Sequence, residues 1–252
     1  MESQHYDLQA EVEDRHWWFV GRRRIVRAVL EHFLPPGRAT VVMDYGCGTG
    51  ASVNDLARDY DCFGVDASRH VIELARQRFP NRRFDHVEET VVCDRPPVDA
   101  VLMLDVLEHV ADDRALLSRV LQQVKPAGLA IVTVPADATL WSHHDVSLGH
   151  FRRYDEQQLA AIWAGLPVRC LFWSYFNSRL YPLIRHIRLR NHRTGRTWGR
   201  AETDLSMPPV LINSLLTKLF VGEANRLRNA LRSGTGPAYR RGVSLMAVLR
   251  RE

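Results

Sequence analysis

The 252-residue chain has few cysteines and no pattern among them. Cys47, Cys62, Cys93 and Cys170 are scattered without a C-x-x-C pair, which excludes a zinc knuckle and a disulfide framework. Such usage fits a reducing compartment, so a cytoplasmic location is expected. No apolar run approaches the roughly 18–20 residues needed to cross a bilayer. The first residues carry Glu2, Asp7, Glu11, Glu13 and Asp14, too acidic for a signal peptide. Repeats and low-complexity tracts are absent as well. Lysine is nearly missing: 32 of the 34 basic residues are arginine, so almost every cation is a guanidinium that stays charged.

What is present is unevenly placed. The formal charge of +5 hides a body of net −6 over residues 1–176 and a C-terminal third of net +11 over 177–252. The stretch 177–200 holds Arg179, Arg185, Arg188, Arg190, Arg193, Arg196 and Arg200 and no acid. Leu180, Leu183, Ile184, Ile187 and Leu189 are interleaved along one helical side. Peripheral membrane contact through 177–200, a lid that attracts an acidic substrate, and a helix pair with 209–231 are three readings of this segment. No recognisable RNA module accompanies the arginines, so a nucleic-acid partner is not expected.

Short apolar runs alternate with helical segments, the pattern of an α/β protein with a mostly parallel sheet. Residues 7–34 read as helical and end at Pro35-Pro36-Gly37. Strands follow at Thr40–Asp44, Cys62–Asp66, Arg83–Val87, Ala100–Leu104 and Leu129–Val134, with helices to about Tyr60, over Ser68–Phe79 and over Asp112–Val124. A helix over Asp155–Ala164 and strands at Val168–Tyr175 and Val243–Leu249 complete the series. About 65 residues separate the last two strands. That far exceeds the usual connection of about 2–6 residues, so 177–240 reads as a helical insertion with helices near 178–190 and 209–231. Residues 137–154, rich in His, Asp and Arg without periodicity, read as a functional loop.

The segment Asp44-Tyr45-Gly46-Cys47-Gly48-Thr49-Gly50 sits at a strand-to-helix turn, where glycines allow positive φ and close approach of a ligand. A dinucleotide fingerprint would place its third glycine at position 51, which is Ala51. Asp44 would repel a pyrophosphate and attract an ammonium. Asp66, at the end of the second strand, is placed to accept the hydroxyls of a ribose. S-adenosylmethionine combines an ammonium, a ribose and an adenine.

With these residues the chain resembles the class I S-adenosylmethionine-dependent methyltransferases. The resemblance rests on Val42–Gly50, Gly64-Val65-Asp66, Asp99–Val110 and Leu121–Pro135, in the family's order. Asp14–Phe19 (DRHWWF) and Asp145–Tyr154 (DVSLGHFRRY) are similar to one bacterial small-molecule subgroup. The resemblance implies a Rossmann-like, seven-stranded, mostly parallel sheet. Residues 1–38 would form an N-terminal helical cap and 39–252 the methyltransferase domain, with the helical insertion before the last strand. It also implies that Asp44, Gly46, Cys47, Gly48 and Gly50 cradle the methionine part, Asp66 the ribose, Ala67 and Glu88 the adenine, and Leu104 and Asp105 the floor.

Expected activity is methyl transfer to a small-molecule or lipid-like acceptor by direct displacement, leaving S-adenosylhomocysteine; that the acceptor atom is oxygen is implied by the resemblance alone. The candidate catalytic residues are His109, His144, His150 and Tyr154. In ubiquinone-pathway relatives a Glu-x-x-Glu-His in this place binds Mg²⁺, and His144 or His150 could supply a fourth ligand. Here Asp105 replaces the first Glu and is one methylene shorter, so Mg²⁺ is kept only as a minor alternative and no metal ligand is assigned. Two alternatives stand beside this reading: an NAD-dependent oxidoreductase, and an S-adenosylmethionine-binding regulatory protein without turnover. A monomer or a homodimer fits the sequence equally.

Overall fold

The computed structural model describes residues 3–88, 95–194, 199 and 203–252. Cys93, Arg196, Arg200 and the start of the N-terminal acidic stretch lie outside them.

Seven strands form one sheet: β1 (Gly37–Tyr45), β2 (Tyr60–Asp66), β3 (Arg83–His86), β4 (Val98–Leu104), β5 (Val124–Pro135), β6 (Val168–Phe176) and β7 (Ser244–Arg251). Their order is β3-β2-β1-β4-β5-β7-β6. Every pairing is parallel except those of β7, which runs antiparallel to both β5 and β6. The expected Rossmann-like fold is therefore the observed one.

Because both faces are covered, the central strands are apolar throughout, and successive residues serve opposite cores. On β4, Ala100, Leu102 and Leu104 face one core while Val101 and Met103 face the other. The first core is closed by α2 (Trp17–Phe33), α3 (Ala51–Leu56), α4 (Arg69–Arg78), α9 (Val210–Val221) and α10 (Glu223–Ser233). The second is closed by α5 (Asp113–Leu121) and α7 (Glu156–Trp163). The remaining helices are α1 (Ser3–Val12), α6 (His143–Ser147) and α8 (Tyr181–Thr194). Among the described residues no helix is long and apolar enough to cross a membrane.

Three helical expectations need correction. The stretch 7–34 is two helices, with α2 restarting at the His16 cap, whose Nδ1 accepts from the Trp18 N–H. The helix after the glycine loop is only six residues, Ala51–Leu56. The expected helix 209–231 breaks at Gly222, where a Cβ would lie 2.4 Å from Arg179 Nη1. Its apolar face does not pair wholly with α8 either. Phe220 packs against α2, where a Cβ on Gly21 would lie 2.2 Å from its ring, while Val210, Leu211 and Leu215 stay exposed.

The strand order reverses between β1 and β4, and in such sheets ligands bind outside the carboxyl ends at that point. The carboxyl ends of β1, β2, β4, β5 and β6 all reach one cavity there.

Candidate active site

The cavity measures about 890 Å³. One part of it is built by the loop after β1. Gly46, Gly48 and Gly50 have φ of 74°, 52° and 90°. A Cβ on Gly46 would lie 2.5 Å from Val106 Cγ2, and one on Gly50 2.7 Å from Phe84 Cζ. These positions require glycine on both counts. Gly46, Cys47 and Gly48 line the cavity; Gly50 holds the turn behind them. Asp44 is buried at the strand end, and its Oδ1 has no hydrogen-bond partner among the described residues. Burial, with the nearby charges of Asp66 and Glu13, pushes its pKa up to about 7 against the opposing Arg22 guanidinium. Asp66 accepts the Gly48 N–H at 3.0 Å and the Ser68 N–H at 2.9 Å, and burial raises its pKa. Each oxygen retains a lone pair for a further donor.

The N-terminal helices close over this part. Glu13, buried, accepts from the Thr49 hydroxyl and the Arg78 guanidinium, and Arg78 also donates to the Thr49 carbonyl at 2.9 Å. Tyr6 and Gln9 of α1 and Trp17, Trp18 and Phe19 of α2 reach the cavity. Arg22 crosses the floor: it is ion-paired with Asp105, donates to the Leu104 carbonyl at 3.3 Å and lies 4.6 Å over the Trp18 ring. Asp105 is held at a positive φ of 59°. Trp17 meets Phe220 edge-on, so the aromatic cluster serves as both packing and cavity wall.

A second part of the cavity gathers histidines. His109 follows β4 in a 3-10 turn, and its ring meets His150 edge-on at 4.7 Å. Burial, then the charge of His150, lowers the His109 pKa to about 3, so it stays neutral. His150 directs Nδ1 to Asp145 Oδ1 at 3.0 Å. Asp145, fully buried, also accepts from Arg153 Nε at 2.8 Å and the Ser142 N–H at 2.9 Å, with Arg188 at 3.5 Å. Burial alone would raise its pKa, but the His150 hydrogen bond and the two guanidinium groups outweigh that and hold it well below the usual range. An ionised Asp145 accepts the His150 Nδ1–H, which leaves Nε2 as the free lone pair. His144 lines the cavity too; burial and Arg188 lower its pKa, and its Nδ1 accepts the Asp204 N–H at 3.1 Å.

Sequence reasoning gave no role to Asn177 and met Glu108 only within the Asp105-x-x-Glu108-His109 motif. Glu108 is fully buried with neither carboxylate oxygen paired among the described residues, and burial with the neighbouring Asp105 charge drives its pKa well upward. Asn177, just after β6 with φ of 53°, lines the cavity with neither side-chain amide atom paired among the described residues. Asp145 was visible only as a member of its loop. Glu108, His109 and His150 each present a ligand atom within 4.8 Å of the others, a donor set able to hold a divalent cation.

Two expected side chains do not line the cavity. Glu88 is exposed and belongs to no wall of it. Tyr154 is buried elsewhere, donating its hydroxyl to Asp113 at 2.9 Å, and burial and Asp113 raise its pKa. Ala67, Leu104 and Asp105 do line it.

A methyltransferase-domain family model matches residues 17–170, more than half of the chain. The chain belongs to this methyltransferase family. S-adenosylmethionine is accordingly its cofactor. The chain is 28% identical over 125 residues to a trans-aconitate 2-methyltransferase from Azoarcus sp. strain BH72, covering 48% of this chain and 49% of that one. It is 32% identical over 97 residues to a ubiquinone biosynthesis O-methyltransferase from Alkalilimnicola ehrlichii, covering 36% and 39%. The matched region thus spans about half or less of the length of these relatives. The fold is similar to that of geranyl diphosphate methyltransferase solved in complex with S-adenosylmethionine. That likeness has a TM-score of 0.57 at 13% identity, covering 90% of this chain and 85% of that one.

Proposed function

We infer that the protein transfers the methyl group of S-adenosylmethionine to an oxygen of a small or lipid-like acceptor. One observation carries this reading. A single cavity contains both an anionic, glycine-lined end at Asp44 and Asp66 and a histidine, His150, tied at Nδ1 to a buried ionised aspartate.

In this reading Asp44 receives the ammonium of the donor and Asp66 the ribose hydroxyls. Gly46, Cys47 and Gly48 let the methionine part pass close to the backbone, with Gly50 completing the turn. Ala67 borders the adenine, and Leu104 and Asp105 form the floor. Residues 1–38 act as the cap of a methyltransferase domain over 39–252, and the insertion 177–240 shapes the acceptor side. A sulfonium donor carries its own activation, so the protein's part is alignment and, for a hydroxyl acceptor, removal of one proton. His150 Nε2 takes the proton from the acceptor oxygen. The oxygen–methyl bond forms as the sulfur–methyl bond breaks, and S-adenosylhomocysteine leaves uncharged at sulfur. The resulting His150 imidazolium is paired with Asp145. Neutral His109 and His144 and the unpaired Glu108 and Asn177 side chains supply polar contacts for the acceptor.

Asp44 argues against a nicotinamide dinucleotide, because it would face the pyrophosphate, and so does Ala51 in place of the third glycine. A second reading is favoured by the Glu108, His109 and His150 donor set, which would hold a divalent cation beside the acceptor oxygen. The test begins with calorimetry of S-adenosylmethionine and NADH. It continues with transfer of a labelled methyl group to panels of phenols, carboxylic acids and lipid extracts. Preference for NADH overturns the donor assignment; label recovered on nitrogen or carbon overturns the oxygen assignment.

A further inference from the structure

The outer side of the insertion is apolar where nothing covers it. On α9, Leu211 is 85% exposed, Val210 80%, Leu215 56% and Ile212 51%. Leu183 on α8 is 52% exposed, and Met207 before α9 is exposed as well. Soluble surfaces rarely gather so many large apolar side chains in one place without a partner. The inner side of α9 is spoken for: Phe220 packs against α2, and Asn213 ties the helix to the start of α2 by accepting the Trp17 N–H at 2.9 Å and donating to the Arg15 carbonyl at 2.8 Å. The exposed face is thus held outward by a fixed helix.

Two further observations say what covers it. The first is the cavity. Leu183, Met207 and Ile212 are both exposed and part of the cavity lining, joined there by Ile184, Ile187 and Leu216. The interior therefore opens to the outside through the apolar face itself, which suits an acceptor that arrives from an apolar phase. The second is charge. Helical spacing puts Lys218 on the stripe of Leu211 and Leu215, and Arg185 beside exposed Leu189 on α8. Neither α8 nor α9 contains an acid, and the one acid of α10, Glu223, is buried and accepts the Ser178 and Arg179 N–H groups. A second copy placed symmetrically on this face would bring cations against cations. An anionic surface with an apolar interior complements both features.

We propose that the outward face of α9, with the adjoining exposed residues of α8, docks the protein on an anionic lipid bilayer with the cavity mouth turned toward it. Leu211, Val210 and Leu215 enter the boundary between headgroups and acyl chains, while Lys218 and Arg185 meet lipid phosphates. Peripheral contact through 177–200 is one of three readings of the sequence; in this proposal the apolar contact lies on α9. The use of this surface for lipid-borne acceptors rests on the methyl-transfer reading above, but the docking itself does not.

The test uses the full chain with vesicles of phosphatidylcholine containing about 30% phosphatidylglycerol, and with vesicles of phosphatidylcholine alone. Sedimentation with the anionic vesicles only, weakened by salt, is expected. A Leu211→Asp/Leu215→Asp variant should bind them at least tenfold more weakly. Neither residue lines the cavity, so its calorimetric affinity for S-adenosylhomocysteine should match that of the parent. Leu211→Trp should give fluorescence that shifts to the blue on anionic vesicles and not on neutral ones. Failure of the parent to bind anionic vesicles overturns the proposal. So does a concentration-dependent dimer dissolved by the double Asp variant, or undiminished vesicle binding by that variant. Because no step needs turnover, absence of methyl transfer would sink the functional reading and leave this one standing.

Discussion

The donor end makes a quantitative prediction through Asp44. Its carboxyl is raised from an ordinary value of 3.8 to about 7 because burial strips water from the ion, while Asp66 and Glu13 add negative charge and Arg22 only partly offsets them. At about 1.4 kcal/mol per pH unit, this corresponds to about 4 kcal/mol against the ionised form in the empty site. The folded pKa lies above the unfolded one, so the empty protein loses stability as pH rises from about 4 to 7 and bears the full cost above 7. A bound ammonium reverses the balance by pairing with the carboxylate. Below pH 7, donor binding must first expel a proton. Affinity for S-adenosylhomocysteine should therefore be flat above about pH 8 and fall toward tenfold per pH unit below 7, reaching about thirtyfold weaker at pH 5.5. Calorimetry at several pH values, in two buffers of different ionisation enthalpy, reads both the affinity and the proton count. Close to one proton should be released per ligand at pH 5.5 and almost none at 8.5. Asp44→Asn should lose most of the affinity and all of this pH dependence. Constant wild-type affinity across the range, without proton release, would refute the reasoning.

Other expectations follow from the same geometry. His150→Ala should lower turnover roughly 10²-fold or more while leaving donor affinity unchanged, because Nε2 is the assigned base. Asp145→Asn should lower both turnover and melting temperature, since it leaves Arg153 buried without its anion and Arg188 with Asp204 alone, at a cost of about 3 kcal/mol in urea unfolding. Gly46→Ala combines a φ of 74° with a Cβ 2.5 Å from Val106, so a loss of about 2 kcal/mol or more is expected in the same assay. Activity should survive a strong chelator; loss restored by Mg²⁺ or Mn²⁺ would replace the base reading with the cation held by Glu108, His109 and His150.

The parts of the molecule legible in the sequence are those whose causes are local. A glycine loop between a buried strand and a helix announces itself within seven residues, because positive φ and close backbone approach leave few choices of residue. The strands β1, β2, β4 and β5 are buried on both faces and so appear as continuous apolar runs. By contrast, the docking of the N-terminal helices on the glycine loop depends on contacts at a distance. Glu13 meets Thr49 and Arg78 from 36 and 65 positions away, and no periodicity near residue 13 reports that pairing.

The acceptor side resisted reading for a sharper reason: its groups are identified by what they lack in the fold. Asn177 looks ordinary in sequence and Glu108 stands out only as part of Asp105-x-x-Glu108-His109; burial without a partner among the described residues makes each a candidate contact. Unpaired polar atoms in an interior are costly unless a ligand or water meets them. Their gathering around one cavity with Asp44 therefore points to a ligand rather than to separate packing defects. The apolar residues of α9 present the converse case. In sequence they read as a helix face seeking a partner helix, yet α2 takes only the side bearing Phe220 and Asn213. The remaining leucines must then face water or a surface. Since Ile212 and Leu183 belong to that face and to the cavity wall together, whatever shields the leucines also stands against the cavity wall.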